Sequence, residues 1–160
     1  MLPFCTCCAL CLWAISCLVF GISWASIAGK APKKVTGQLY IDWKSQFGLI
    51  IAFTFLGMAA VTVCTCMGLV GAKSKRFAIA FFITLGVSFG TQLGFIIAIN
   101  ANSNTDEKKK PIQEWGVEEE VQELALAQGI MYPFMVCALI CIAITIVKRN
   151  RIDLPCLNNL

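Results

Sequence analysis

The chain has 160 residues, of which 58% are hydrophobic and only 14% are charged, and it contains no histidine. An ordinary soluble domain has about 45–50% apolar and roughly 25% charged residues, so this composition excludes such a domain as well as a disordered chain. The lack of histidine removes the usual haem ligand, the commonest general base and the imidazole ligands of zinc. The composition therefore indicates a membrane protein without histidine-based chemistry.

Four stretches of the sequence contain no charged residue, and each is longer than the roughly 20 apolar residues that cross a bilayer as a helix. They are residues 4–28, 47–71, 77–99 and 124–147, with loops at 29–46 and 100–123, a turn at 72–76 and a tail at 148–160. Backbone groups in hydrocarbon must bond within their own segment, so these spans should be helices. The sequence predicts an all-α membrane protein, a single domain over 1–160 with four transmembrane helices.

The charges also bear on orientation. Span one begins close to Met1 but has no basic n-region and exceeds the apolar segment of about 7–15 residues in a signal peptide, so we expect it to be structural. Lys and Arg mark the cytoplasmic side of membrane proteins, and here they divide almost evenly between the two sides. Their density in the 72–76 turn and directly after span four favours cytoplasmic N- and C-termini. The plasma membrane is the expected location.

Ten cysteines lie in the spans and the tail, and neither long loop contains one, so a disulfide scaffold is not predicted. Thiols near the cytoplasmic end of a membrane helix are acceptors for S-palmitoylation. The predicted acceptors are Cys5, Cys7, Cys8, Cys11 and Cys66. The alternative is that these cysteines serve as small apolar packing residues. Cys8-Ala9-Leu10-Cys11 matches the CxxC pattern but has no second ligand pair, so no metal site is predicted.

Span three carries Gly86, Gly90 and Gly94 at intervals of four residues. Membrane helices associate through the close approach of small residues, so this glycine ladder predicts a packing face. The alternative is that glycine is simply frequent in membrane helices. Gln92 lies near this face, where an interhelical hydrogen bond worth about 1 kcal/mol or less is expected.

Several short motifs resemble those of tetraspanins. Span one reads Leu12-Trp13 and then Phe20-Gly21-Ile22-Ser23-Trp24, and span two ends in Gly68-Leu69-Val70-Gly71-Ala72, similar to the tetraspanin GCCGA signature without its cysteines. Gln92 stands where that family has an acidic or amide residue in its third helix. A short first loop, a minimal inner turn and a longer second outer loop follow the same order. The resemblance covers the membrane bundle, about two thirds of the chain.

This resemblance implies a minimal tetraspanin-like bundle that lacks the large extracellular loop with its Cys-Cys-Gly motif. It implies helix packing at Gly21, Gly68 and Gly71, and a lipid-accessible cavity that could hold a bound lipid or sterol. No other cofactor is expected.

The second outer loop offers the best candidate for partner binding. Val117, Val121 and Leu124 recur at i, i+4 and i+7, which predicts a short amphipathic helix that runs into span four. Trp115 is suited to the membrane interface. The predicted partner-binding residues are Trp115, Val117, Glu118, Glu119 and Val121. The alternative is a solvated charged face beside a membrane anchor.

The sequence shows no nucleophile with a base, no phosphate loop and no paired carboxylates within a span, so we expect no enzyme and no nucleic-acid partner. The leading hypothesis is a non-catalytic, tetraspanin-like scaffold or accessory subunit that binds membrane lipid and organises a larger membrane protein or a receptor or channel complex. One alternative is an oligomeric channel or transporter formed by this chain, although the spans hold no charge. Another is a structural oligomer that organises the membrane.

Overall fold

The computed structural model describes residues 4–70 and 75–150, and within them every regular element is a helix. The elements are α1 (Phe4–Lys30), α2 (Gln38–Val70), α3 (Lys75–Ser103), α4 (Lys110–Glu114) and α5 (Glu118–Asn150). All but α4 contain a segment long and apolar enough to cross a membrane. The prediction of an all-α protein with four helices of membrane-spanning length is confirmed.

The helices extend beyond the uncharged stretches from which the spans were predicted. α2 begins at Gln38 and therefore includes the charged residues Asp42 and Lys44, while α5 begins at Glu118, so the segment before span four and the span itself form one continuous helix. The first turn of α5 is acidic and its last turn is basic, and both complement the helix dipole. The uncharged stretches thus mark the apolar part of each helix rather than its ends.

The four long helices form a ring in the order α1, α2, α3, α5. α1 packs against α2 and α5, and α3 packs against the same two helices from the opposite side. Fewer contacts join α2 and α5 across the ring. The short α4 lies against α2 and α5, and the end of the bundle where it lies is called here the α4 end.

The core consists of two stacked clusters of buried side chains. The cluster at the α4 end contains Phe20, Trp24, Ile27, Trp43, Phe47, Ile50, Ile96, Ile99, Ile112, Val117, Val121 and Ala125. The other contains Ala9, Trp13, Cys17, Val61, Phe81, Phe89, Met135, Ala138, Leu139, Ile142, Ala143 and Ile146. Tyr132 packs against both clusters, and its hydroxyl donates to the Phe89 carbonyl. Aromatic rings therefore fill much of the space between the helices.

The outward faces of the bundle are strongly apolar. Leu56, Ile83, Leu126 and Ile130 are each at least 60% exposed, and they belong to three different helices. A soluble monomer rarely exposes contiguous apolar surface on this scale. The arrangement is that of a multi-pass membrane protein whose side chains face lipid in all directions.

Candidate functional site

The α4 end is closed by residues 104–117, which include α4 and are called the cap. The indole Nε1 of Trp43 donates to the Lys108 carbonyl over 2.7 Å, and Ile112 of α4 is fully buried in the core cluster at this end. Gly116 has a φ of +68°, a left-handed conformation that glycine adopts without strain, and it turns the chain from α4 into α5. The cap is thereby fixed to the bundle instead of projecting as a free loop.

The first connection is fixed at the same end. The Lys44 ammonium donates to the carbonyls of Pro32 (2.9 Å) and Lys33 (2.8 Å), so a side chain of α2 holds the segment that leads into it. Gly37 has a φ of +105° just before α2 begins. Both connections at the α4 end are therefore held by side chains of α2.

The structure corrects part of the predicted partner-binding surface. Val117 is 1% exposed and Val121 is fully buried, because both belong to the core cluster of the α4 end. The pattern of these residues identified an apolar face correctly, but that face packs within the chain. Val117 and Val121 therefore cannot contact a partner in this conformation.

Trp115 is half-buried over the same cluster. Its ring lies 6.0 Å from that of Tyr40 and 6.4 Å from that of Phe47, measured between ring centroids. It joins the cap to α2, and only part of its surface remains for a partner or for the membrane interface.

The glutamates at the start of α5 differ in their partners. Glu118 is half-buried and forms an ion pair with Lys109 at 3.7 Å, whereas Glu119 is exposed. Glu120 pairs with Lys30 at the end of α1. Both groups of the second pair are nearly half exposed, so its contribution to stability is small. Of the five predicted partner-binding residues, Glu119 is the one whose side chain is classed as exposed.

A cleft of about 470 Å³ lies between α1 and α5 beside the Lys30–Glu120 pair. Its walls combine charged, hydroxyl and apolar side chains, namely Ser23, Ser26, Ile27, Lys30, Glu120, Glu123, Leu124 and Ala127. This volume lies within the range of roughly 300–1,000 Å³ found for ligand pockets. Together with exposed Glu119, the cleft forms an acidic surface at the α4 end.

A third ion pair, between Lys109 and Asp106, lies within the cap. Lys109 donates to the Asp106 carboxylate at 2.9 Å, and this contact lowers the pKa of Asp106 and raises the pKa of Lys109. A lowered carboxyl pKa contributes stability that is present above the ordinary pKa of the group and is lost as the pH falls through the lowered value. Asp106 is largely exposed, so this contribution is small.

Replacing Lys109 by methionine should raise the pKa of Asp106, because the hydrogen bond and the positive charge that lower it both disappear. Titration of the Asp106 carboxyl by NMR measures this change. Lys108→Met is the control, since the exposed Lys108 side chain has no ion pair with Asp106 in the described structure. An unchanged pKa in Lys109→Met would show that the pair does not form in solution.

The cysteines predicted as acyl acceptors lie on outward faces where their side chains are described. Cys7, Cys8, Cys11 and Cys66 are exposed, whereas Cys17 is buried against Trp13 and its neighbours in the core. Cys5 lies in the first turn of α1, and its side chain is outside the described part of the structure. The exposed thiols are not covered by the other helices of the described bundle.

Acyl exchange on the intact protein should give a mass shift for the parent chain that is smaller when Cys5, Cys7, Cys8 and Cys11 are replaced together by serine, because acceptors such as Cys66 remain. Cys17→Ser is the matched control and should retain the shift, because the buried Cys17 thiol is not accessible to an acyltransferase. Equal shifts in the parent and the fourfold variant would exclude acylation of the N-terminal cluster.

The glycine ladder does not pack against the other helices of the chain. Gly86, Gly90 and Gly94 are exposed, and a β-carbon at any of them would meet no atom within 4 Å. The prediction that this face packs within the bundle is therefore wrong. The side of α3 that packs against the neighbouring helices is a different one, which contains Phe89, Gln92 and Ile96.

Two of the other glycines predicted to pack do lie in close helix contacts, unlike the glycine ladder. A β-carbon at Gly21 would lie 2.7 Å from the Phe55 ring, and one at Gly68 would lie 2.8 Å from Ile146, so both glycines occupy tight helix contacts. Gly71 lies outside the described residues. Gly57, which the sequence did not single out, is tighter than either, because a β-carbon there would collide with the Ser88 hydroxyl.

Gln92 is 1% exposed, and neither its Oε1 nor its Nε2 has a hydrogen-bond partner. The predicted interhelical bond from this residue is therefore not made. A buried hydrogen bond between two helices is made by Gln128 instead. Its Oε1 accepts from the Trp24 indole Nε1 at 2.7 Å, and this bond joins α1 to α5. Nothing in the local sequence distinguished the two glutamines, since each is a lone amide within an apolar span.

No group of three or more metal-ligating side chains occurs among the described residues. Protein-family models, curated proteins and solved structures were compared with the chain, and none of them matches it. Its function must therefore be inferred from its own geometry.

Proposed function

We propose that the chain is a non-catalytic membrane scaffold or accessory subunit, a minimal tetraspanin-like bundle that binds a larger membrane protein. The observation that carries this proposal is the nature of the core. In the described residues, the buried side chains that are not apolar are serine, threonine and glutamine. Transport or proton relay across a membrane relies on ionisable groups inside the bundle, and such a core supplies packing instead.

The order of the connections supports the tetraspanin-like assignment. A short segment joins α1 to α2, and a longer one that contains α4 joins α3 to α5. In the proposed orientation the α4 end is extracellular, at the plasma membrane, and both termini are cytoplasmic. The exposed thiols of α1 then lie near the cytoplasmic face, where palmitoyl groups would tune lateral association.

The proposed docking surface is the acidic surface at the α4 end, formed by Glu119, Glu123 and the cleft between α1 and α5. It replaces the surface predicted from sequence, because Val117 and Val121 are buried. Complementary charge speeds association and selects partners. The surface therefore suits a membrane protein with a basic segment just outside the bilayer.

Purification of the full chain in mild detergent tests this proposal. We expect one defined membrane protein to be recovered in a constant ratio, and its recovery to fall at least about fivefold when Glu119 and Glu123 are both changed to lysine, a loss of about 1 kcal/mol. Gln113→Lys is the control, since it adds a positive charge to the cap at an exposed site outside the cleft.

Two outcomes would contradict the proposal. One is that no membrane protein is enriched with the parent chain over a mock purification. The other is selective ion or solute flux through liposomes that contain the purified chain alone, which would identify an oligomeric channel.

A further inference from the structure

The cleft between α1 and α5 crosses the boundary between the hydrocarbon and the headgroup layer. Lys30 and Glu123 line its outer end, and they are the first charged residues beyond spans one and four. Ser23 lines its inner end, about 10 Å from Lys30 along α1 at a rise of 1.5 Å per residue. A headgroup layer is only about 5–7 Å thick. The inner end of the cleft therefore lies at the level of the hydrocarbon.

The surface beside the inner end is that of a bundle in lipid. Ile22 and Leu126, which precede Ser23 and Ala127 of the cleft in the chain, are 57% and 63% exposed. Apolar side chains of this size face outward on both helices at this level. The inner part of the cleft thus opens sideways to the lipid chains, and its occupant must be polar at one end and apolar at the other.

The charged groups at the outer end are accessible to a ligand. Lys30 pairs with Glu120, and these side chains are 47% and 44% exposed. An ammonium has three N–H donors, so Lys30 keeps donors for a second acceptor. Glu123 is exposed and forms no ion pair within residues 4–70 and 75–150. The outer end therefore offers a cation and a carboxylate side by side.

These charges restrict the headgroup of a lipid. One positive and two negative groups line the outer end, which gives it a net charge of −1. A purely anionic headgroup meets Lys30 but is repelled by the two carboxylates, and an uncharged one gains nothing from either sign. A headgroup that carries both a phosphate and an amine cation is attracted by both. Ser26, about 6 Å below Lys30 on α1, offers a hydroxyl at the level of the glycerol esters.

We propose that the cleft between α1 and α5 binds one zwitterionic glycerophospholipid. Its phosphate accepts from Lys30, its amine cation lies against Glu123, and one acyl chain begins against Leu124 and Ala127. The volume of about 470 Å³ takes the headgroup and the start of that chain, and the rest of the lipid stays in the bilayer. The lipid fills part of the proposed docking surface, but its binding does not depend on a protein partner, and Glu119 lies outside the cleft.

Native mass spectrometry of the full chain in detergent micelles tests this site. The probes are dioleoyl phosphatidylcholine and dioleoyl phosphatidylethanolamine, and the comparison lipids are anionic dioleoyl phosphatidylglycerol and uncharged dioleoylglycerol. We expect one zwitterionic lipid to be retained about fivefold more strongly than either comparison lipid, the effect of one exposed ion pair worth about 1 kcal/mol. Preference for one of the two probes identifies whether a quaternary or a primary amine is bound.

Charge variants test the contacts of the headgroup. Lys30→Met should weaken retention of the zwitterionic lipid about threefold, whereas Lys33→Met, at an exposed site outside the cleft, should leave it unchanged. Glu123→Gln should narrow the preference over phosphatidylglycerol, because it removes a negative charge that repels this lipid.

A blocking variant locates the lipid. Ala127→Phe should abolish retention because the ring fills the cleft, whereas Ala25→Phe, at an exposed position of α1 outside the cleft, should not change it. The proposal would be overturned by equal retention of a comparison lipid, by unchanged retention in Lys30→Met or Ala127→Phe, or by loss of retention in either control. The measurement uses the chain alone, so failure to recover a protein partner would leave its result unaffected.

Discussion

Replacement of Gly57 by leucine should destabilise the bundle by about 1–3 kcal/mol, the usual cost of adding side-chain volume to a packed core. The new β-carbon would collide with the Ser88 hydroxyl, and it would also lie 3.3 Å from Ser88 Cβ and 3.2 Å from Gln92 Nε2. Rotation of the serine hydroxyl relieves only the first contact. The neighbouring atoms of α3 must still shift, and the rest of the leucine side chain adds volume between α2 and α3. Thermal unfolding of the purified protein in detergent should detect the loss of stability.

Gly90→Leu is the matched control for this experiment. Gly90 lies in a membrane helix as Gly57 does, but a β-carbon there meets nothing within 4 Å. The same substitution therefore adds apolar surface that lipid can solvate, and the midpoint temperature should stay the same or rise slightly. Equal destabilisation by both substitutions would mean that the glycine ladder of α3 is packed as tightly as Gly57 of α2.

Removal of the hydrogen bond between Trp24 and Gln128 should have an effect of similar size. Both side chains are almost completely buried, and the bond is 2.7 Å long. Gln128→Leu leaves the indole N–H of Trp24 without a partner in the core, at a cost of about 1–3 kcal/mol. Chemical unfolding of the variant in mixed micelles measures this loss.

A double-mutant cycle separates the bond from the loss of packing. Trp24→Phe removes the donor, and in the double variant no unpaired group remains at either position. The coupling energy should be about 0.6 kcal/mol and no more than about 1.7 kcal/mol, as for other hydrogen bonds between membrane helices. Strictly additive effects of the two substitutions would show that α1 and α5 are held together without this bond.

The sequence did not predict the short α4, but it predicted the four long helices because charge is so costly in hydrocarbon. It predicted their ends poorly for the same reason. Asp42 and Lys44 end the uncharged stretch of α2, but they do not end the helix, which begins at Gln38. A charged residue is excluded from the hydrocarbon. It is tolerated in the part of a helix that extends out of the hydrocarbon into water.

The site was harder to predict, because lipid and protein interiors are equally apolar. The periodicity of Val117 and Val121 showed an apolar face without showing what covers it, and the structure places it against the bundle. The ladder of Gly86, Gly90 and Gly94 was ambiguous in the same way and faces outward. Gly57 could not have been found from its own helix, since its importance comes from Ser88 and Gln92 on α3.

α5 is one continuous helix that begins at the cap and includes the whole of span four. From Glu118 to Asn150 the helix is about 50 Å long, some 20 Å more than the hydrocarbon is thick. Its first turn is joined to the cap by the ion pair between Glu118 and Lys109. Pro133 removes one backbone hydrogen bond part-way along, and bending under load should concentrate there. A force applied to the first turn of α5 should therefore bend the helix at Pro133 before it tilts the last turn, at Lys148 and Arg149.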